Sequence, residues 1–119
     1  MTANELRIGN LFKTDEIVFV YSIEFNDKKR EYRVYVDNLN RNYNDCLFLD
    51  EINAIPLTEE WLVKFGFENK TKTFVLNNIS IKQQTKGYFF YLSMMIQYVH
   101  QLQNLYFALT GEELKNQLR

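Results

Sequence analysis

Histidine and cysteine support the widest range of catalytic and metal-binding chemistry among the side chains, and this chain contains only one of each. His100 and Cys46 lie 54 positions apart, and no other residue near either one suggests a nucleophile activated by a base. Metal sites generally need three or four ligands, so only carboxylate sites would remain. We therefore expect His100 to be a helix-start residue and Cys46 a small core residue. We expect no enzymatic activity, no metal and no cofactor.

Carboxylates are the next candidates for chemistry. The stretch from Asn42 to Val63 contains no Lys or Arg but five acidic residues: Asp45, Asp50, Glu51, Glu59 and Glu60. Such a stretch indicates either a solvated face with helix capping or a phosphate-like surface that docks into the basic channel of a nucleic-acid enzyme. Because Glu59 and Glu60 stand at a predicted helix start, capping explains them better than acid–base catalysis does.

A basic segment with aromatic neighbours offers the alternative kind of site. Its candidate residues are Lys70, Lys72, Lys82 and Lys86, with Phe74 and Tyr88 among them. Lysines interleaved with aromatic rings can follow a nucleic-acid backbone and stack on bases. The other interpretation is that these lysines protect the edge strands of a sheet from aggregation.

The elements that must position these residues begin with β-strands. Strands are predicted over residues 6–13, with Gly9 and Asn10 allowing a kink, and over residues 16–25, 31–37 and 46–49. In the second strand, the odd-numbered residues from Ile17 to Phe25 share one face, and Val18 and Val20 share the other. Together these strands resemble a small, strongly bent SH3-like barrel.

The second half combines helices with a hairpin. A short helix is predicted over residues 57–66, with Thr58 as its cap and Gly66 as its stop. A hairpin follows, with strands over residues 71–76 and 79–82 and a turn at Asn77-Asn78. Residues 87–99 fit a strand to about Tyr98 or a helix from Leu92, and their aromatic content favours the strand. The last helix covers residues 100–109, and its predicted core face comprises Leu102, Leu105, Tyr106 and Leu109.

Composition limits the class of protein. A chain of 119 residues with 46% hydrophobic residues predicts one α+β domain over residues 1–119. The lone cysteine, the absence of a signal-like start and the short apolar runs predict a cytoplasmic protein that does not enter a membrane. Charge is uneven, because residues 1–60 carry −5 and residues 61–119 carry +4. This asymmetry suggests a polar partner at one face, or surfaces of opposite sign that neutralise each other.

Three segments resemble a known group of proteins when they are taken in order: residues 4–10 (NELRIGN), 55–67 (IPLTEEWLVKFGF) and 98–114 (YVHQLQNLYFALTGEEL). At these spacings they are similar to a family of small uncharacterised proteins from bacterial phages, prophages and mobile elements. The resemblance implies a mobile-element context and a bacterial host. It carries over no catalytic residue.

These observations support two hypotheses for function. The first is a non-enzymatic inhibitor of a host defence nuclease, such as a CRISPR effector or its guide-RNA complex, that docks through the acidic residues. The alternative is a small nucleic-acid-binding accessory protein that uses the lysine and aromatic residues. The sequence leaves the oligomeric state open.

Overall fold

The computed structural model describes residues 3–85 and 87–115, so Lys86 lies outside the described residues. Contacts divide the chain into two compact units, Met1–Ile55 and Pro56–Arg119. Each unit contains an antiparallel sheet, and the second also contains the α-helices. The predicted α+β class is therefore confirmed, whereas the single domain over residues 1–119 stays a prediction.

The first unit is a meander in which each strand pairs with the next. A short 3-10 helix at Ala3–Glu5 precedes β1 (Leu11–Lys13), β2 (Ile17–Asn26), β3 (Glu31–Asn38) and β4 (Asn44–Phe48), and a 3-10 turn at Leu49–Glu51 follows. The strand predicted from residue 6 is wrong over its first half. Gly9 has a φ of 97° and donates its N–H to Val20 O at 2.8 Å, so the chain turns before β1 begins.

The core of the first unit lies on the face of β2 that carries Val18 and Val20, both fully buried. The alternation predicted for this strand is confirmed only as far as Val20. A β-bulge at Tyr21 shifts the register, so that Val20 pairs with Val36 but Ile23 pairs with Val34. Ile23 therefore joins Val18 and Val20 on the core face, whereas Tyr21 and Phe25 are exposed.

The second unit begins with α1 (Glu59–Lys64) and continues with β5 (Glu68–Asn69), β6 (Thr73–Leu76), β7 (Ile79–Thr85), β8 (Tyr88–Tyr91) and β9 (Met94–Ile96) before α2 (Val99–Thr110). The predicted start and end of α1 are confirmed. Thr58 Oγ1 accepts a hydrogen bond from Trp61 N at 3.3 Å, and Gly66 has a φ of 99°. The Asn77-Asn78 turn is also confirmed, because both residues have positive φ.

The single strand predicted over residues 87–98 is wrong. The chain turns at Leu92 and Ser93, and Phe89 pairs with Ile96 across the resulting hairpin of β8 and β9. Leu92 has a φ of 54°, a conformation that costs a residue other than glycine about 1–2 kcal/mol. Since a leucine at this position does not signal a turn, the sequence pattern continues through it and hides the hairpin.

Helix α2 forms as predicted and ends at Gly111, whose φ is 75°. Its buried face, however, consists of Val99, His100, Leu102, Gln103 and Tyr106. The prediction that Leu109 is part of the core is wrong, because its side chain is 45% exposed. Leu105 is half-buried. The face of α2 that is buried is therefore shifted around the helix axis from the predicted face, and it includes the polar residues His100 and Gln103.

The observed face of α2 can be tested with two leucines on successive turns. Leu102 is 1% exposed, so Leu102→Ala should remove about 2–5 kcal/mol from the free energy of unfolding by leaving a cavity. Leu105→Ala should cost clearly less, because solvent already reaches that side chain. Urea denaturation of both variants measures the difference, and an equal or larger loss for Leu105→Ala would contradict the assignment.

Candidate docking surfaces

The loop between β3 and β4 is held by two buried polar residues at the end of β3. Asp37 Oδ1 accepts hydrogen bonds from Asn38 N at 2.8 Å and Tyr43 N at 3.0 Å. Asn38 Oδ1 accepts from Asn42 N at 3.1 Å, and Asn38 Nδ2 donates to Asn42 Oδ1 at 2.6 Å. Because Asp37 and Asn38 are 8% and 6% exposed, this asparagine-rich loop is anchored from beneath and presents Tyr43 in a defined position.

Tyr43 is at the centre of an acidic group of side chains. Its hydroxyl donates to Asp45 Oδ2 at 2.8 Å, while Asp45 Oδ1 accepts from Cys46 N at 2.8 Å. This hydrogen bond is the main reason that the pKa of Tyr43 is raised, and the negative charges of Asp45, Asp15 and Glu16 add to the effect. We call Asp15, Glu16, Tyr43 and Asp45 the acidic end of the first unit.

The remaining acidic candidates of the first unit lie at the other end of β4. Glu51 Oε1 accepts a hydrogen bond from Phe48 N at 2.8 Å, so this carboxylate helps to fix the 3-10 turn. Asp50 is exposed and lines a shallow cleft with Arg30, Glu31 and Phe48. Since β4 separates Asp45 from Asp50 and Glu51, these three residues do not form one patch.

Glu59 and Glu60 belong to the second unit, in the first turn of α1. Both are exposed, and both line a cleft of about 320 Å³ together with Thr58, Gln83 and Phe89. Their carboxylates stand at the positive end of the helix, as capping requires. Within the first unit the predicted acidic residues thus occupy two locations, and the remaining two belong to α1 of the second unit.

The predicted lysine and aromatic surface of the second unit is only partly accessible. Lys70, Lys72 and Lys82 are exposed, and Lys70 Nζ lies 3.9 Å from Glu68 Oε2. Phe74, by contrast, is fully buried and contacts Phe89 edge-on at 6.1 Å between ring centroids. Burial removes Phe74 as a stacking surface, whereas Tyr88 is 50% exposed.

The residues with the widest chemistry lie in separate units. Cys46 is half-buried on β4 and pairs with Tyr35 on β3. A side-chain hydrogen bond with Cys46, followed by one with Glu24, raises the pKa of Tyr35. His100 is 1% exposed and stacks on Tyr98 with 5.9 Å between the rings. Among residues 3–85 and 87–115, no three His, Cys, Asp or Glu side chains are grouped as a metal site.

The chain matches no protein-family model, no curated protein and no solved structure. In the part of the chain that the structure describes, no helix is both long enough and apolar enough to cross a bilayer.

Sequence reasoning missed Asp15, Glu16 and Tyr43 as members of the acidic end. A signal was present, because Asp15 and Glu16 are adjacent acids just before a strong strand pattern. In an antiparallel meander, the turn before β2 and the loop after β3 lie at the same end of the sheet. The sequence left the strand order open, so the proximity of Asp15 and Glu16 to Asp45 became recognisable only from the observed meander.

The hydrogen bond between Tyr43 and Asp45 makes a prediction for alkaline titration. The folded state favours the protonated phenol of Tyr43. The hydrogen bond to Asp45 therefore stabilises the fold at a pH below the unfolded pKa of tyrosine, about 10, and this stabilisation is lost as the pH rises through the higher pKa of Tyr43 in the folded protein. In Asp45→Asn the pKa of Tyr43 should fall towards its ordinary value. Tyrosinate absorbance, with Tyr43→Phe to assign the signal, measures this change, and an unaltered titration would contradict the hydrogen bond.

Proposed function

We propose that this protein is a non-enzymatic, mobile-element-encoded inhibitor of a host defence nuclease, and that it binds through the acidic end of its first unit. The observation that carries the proposal is that the turn with Asp15 and Glu16 lies at the same end of the first sheet as the loop with the exposed Tyr43, whose hydroxyl donates to Asp45. The partner class is a CRISPR effector nuclease or its guide-RNA complex. We also propose that the first sheet, bent by the bulge at Tyr21, follows an SH3-like path.

Charge is the physical basis of this choice of partner. Enzymes that hold nucleic acid present basic channels, and a compact group of carboxylates is attracted to such a channel in place of phosphates. Tyr43 provides the other property of a docking site, because an exposed tyrosine on an anchored loop can bury a large area at low entropic cost. Arg41 is on the same loop, and its guanidinium group lies over the ring of Phe19, 5.5 Å from the ring centroid.

The proposal is tested by reversing charge at one end of the first unit and then at the other. The double variant Asp15→Lys, Glu16→Lys changes the acidic end, while both side chains are exposed and should not affect folding. The matched control is Asp27→Lys, Asp50→Lys, which makes the same change in net charge at exposed positions near the opposite end. Inhibition of a panel of CRISPR nucleases and the association rate are measured for each protein.

We expect the first double variant to lose inhibition mainly through a slower association rate, and the control to inhibit as the wild type does. Circular dichroism establishes that both variants fold. Equal inhibition by wild type and the acidic-end variant would refute docking through this end. A wild-type protein that inhibits no nuclease of the panel would count against the proposed function.

Nucleic-acid binding by the second unit is the second candidate function. Successive turns of its meander alternate between the two ends of the sheet, so the turn that carries Lys72 and the turn before Tyr88 lie at the same end. Thr71 and Lys72 both have positive φ, and Lys72 O accepts from Gln83 N at 2.8 Å, which fixes this turn against β7. Exposed lysines and Tyr88 are therefore gathered near one end.

Replacement of Lys70, Lys72, Lys82 and Lys86 by Ala tests this candidate. If the surface binds nucleic acid, the variant should lose affinity for single-stranded DNA and RNA, with a salt dependence lower by roughly 0.7 per lost phosphate contact. Filter binding or fluorescence anisotropy at several salt concentrations gives both quantities. Phe74→Leu, a substitution inside the core, is the control that should leave binding unchanged. A wild-type protein that binds no nucleic acid at low salt would eliminate this function.

A further inference from the structure

The two edges of the first sheet differ in what lies beside them. On the β1 side, the chain itself bonds to the edge, because Lys13 N donates to Asn53 O at 2.9 Å and Asn53 N donates to Lys13 O at 3.3 Å. On the β4 side, no further strand pairs in the part of the chain that the structure describes. β4 is therefore the open edge of the sheet, and such an edge is a template for a strand of another molecule.

Two carboxylates occupy backbone N–H groups on the open side of β4. Phe48 N donates to Glu51 Oε1 at 2.8 Å, and Cys46 N donates to Asp45 Oδ1 at 2.8 Å. Because both N–H groups bond to side chains and the two residues are two positions apart, they share the side of β4 that faces away from β3. The hydroxyl of Tyr43 donates to Asp45 Oδ2 at 2.8 Å and helps to hold that carboxylate in place. Two donors that an added strand would need are therefore already used.

The 3-10 turn after β4 positions one of these carboxylates. The turn covers Leu49–Glu51, and Ile52 N donates to Leu49 O at 3.4 Å, so the last residue of the turn can reach back to Phe48. A carboxylate accepts hydrogen bonds and donates none, and a bond to a charged acceptor is roughly twice as strong as one between neutral groups. The carbonyl of an incoming strand would have to displace this charged acceptor, and the negative charge repels it.

The composition of β4 makes its edge prone to pairing with another chain. Cys46, Leu47 and Phe48 are consecutive apolar residues, and Phe48 is 39% exposed beneath the guanidinium group of Arg33, which lies 5.1 Å from its ring centroid. Strands that combine apolar side chains with unpaired backbone groups favour association. Lysine and proline are common protection at such edges, and residues 44–48 contain neither. The two carboxylates are what remains to close this edge.

We propose that Asp45 and Glu51 protect the β4 edge, and that removal of both acceptors lets two copies of the chain pair their β4 strands. Antiparallel pairing about a twofold axis at Cys46 gives full overlap of the five residues of β4 and closes at the dimer. Phe48 N of each copy then donates to Asn44 O of the other. This inference goes beyond the proposed inhibition and does not rest on it, because it concerns hydrogen-bond acceptors and self-association.

The test separates the acceptors from the charges. The double variant Asp45→Ala, Glu51→Ala removes both, whereas Asp45→Asn, Glu51→Gln removes the same charges and keeps an oxygen acceptor at each position. The alanine variant should associate at least about tenfold more tightly than the wild type or the amide variant, because its free donors can bond to a second copy. Circular dichroism establishes folding. Glu51→Ala and Glu51→Gln, which leave the bond between Tyr43 and Asp45 intact, repeat the comparison if the double alanine variant does not fold.

Sedimentation velocity across a broad dilution series measures self-association of the full-length proteins, and amide hydrogen exchange at Cys46 and Phe48 locates it. In the alanine variant, both amides should exchange faster than in the wild type when the protein is dilute, and more slowly as it is concentrated. An alanine variant that associates no more than the wild type would overturn the proposal. So would equal association of the amide variant, or association that leaves both amides exchanging at the dilute rate.

Discussion

Pairing of each strand with its neighbour in sequence is the constraint on which the arrangement of this protein depends. In both sheets, successive turns must alternate between the two ends, because every pair is antiparallel. The charged, polar and apolar residues of each turn are therefore placed at one end of a sheet or the other according to the position of that turn in the chain. In the first unit, Asp15 and Glu16 share an end with Tyr43, and in the second unit, lysine-bearing and uncharged turns occupy opposite ends. Surfaces that are dispersed in sequence become compact without any long-range connection.

The sequence was sufficient to predict elements whose local signals agree with one another. Helix α1 has a threonine cap, two acids in its first turn and a glycine stop, and its bounds are close to those predicted. The β6–β7 hairpin has alternating residues on both sides of two asparagines, and its turn is where they stand. In these places backbone preference and burial pattern lead to the same structure.

The sequence failed where the backbone departs from what its residues prefer. A two-residue turn brings residues of opposite parity to one face, so Phe89 and Ile96 pair although a continuous strand would separate them. The bulge at Tyr21 does the same within β2. Sequence reasoning about the sites failed for a related reason. Phe74 was assigned to an accessible face by its lysine neighbours, but alternation along β6 directs it to the core, beside Phe89. Likewise, the acidic residues were grouped because they are close in sequence. The extended strand β4, however, holds Asp45 at one of its ends and Asp50 and Glu51 beyond the other.

The two isolated β-bridges have a consequence for the order in which the chain folds. Pairing between sequence neighbours gives low contact order, and sheets of this kind form quickly once their strands are available. The bridge between Lys13 and Asn53 closes the first unit, so all strands of its sheet and this bridge are available once residue 53 has been synthesised. The second unit is closed by the bridge between Pro56 and Tyr98, which joins its first residue to the start of its last helix. The second unit is therefore complete only after α2 has been synthesised, and until then the apolar side chains of β6 to β9 lack this helix. During synthesis, the second unit is the part of this protein with the longer exposure to aggregation.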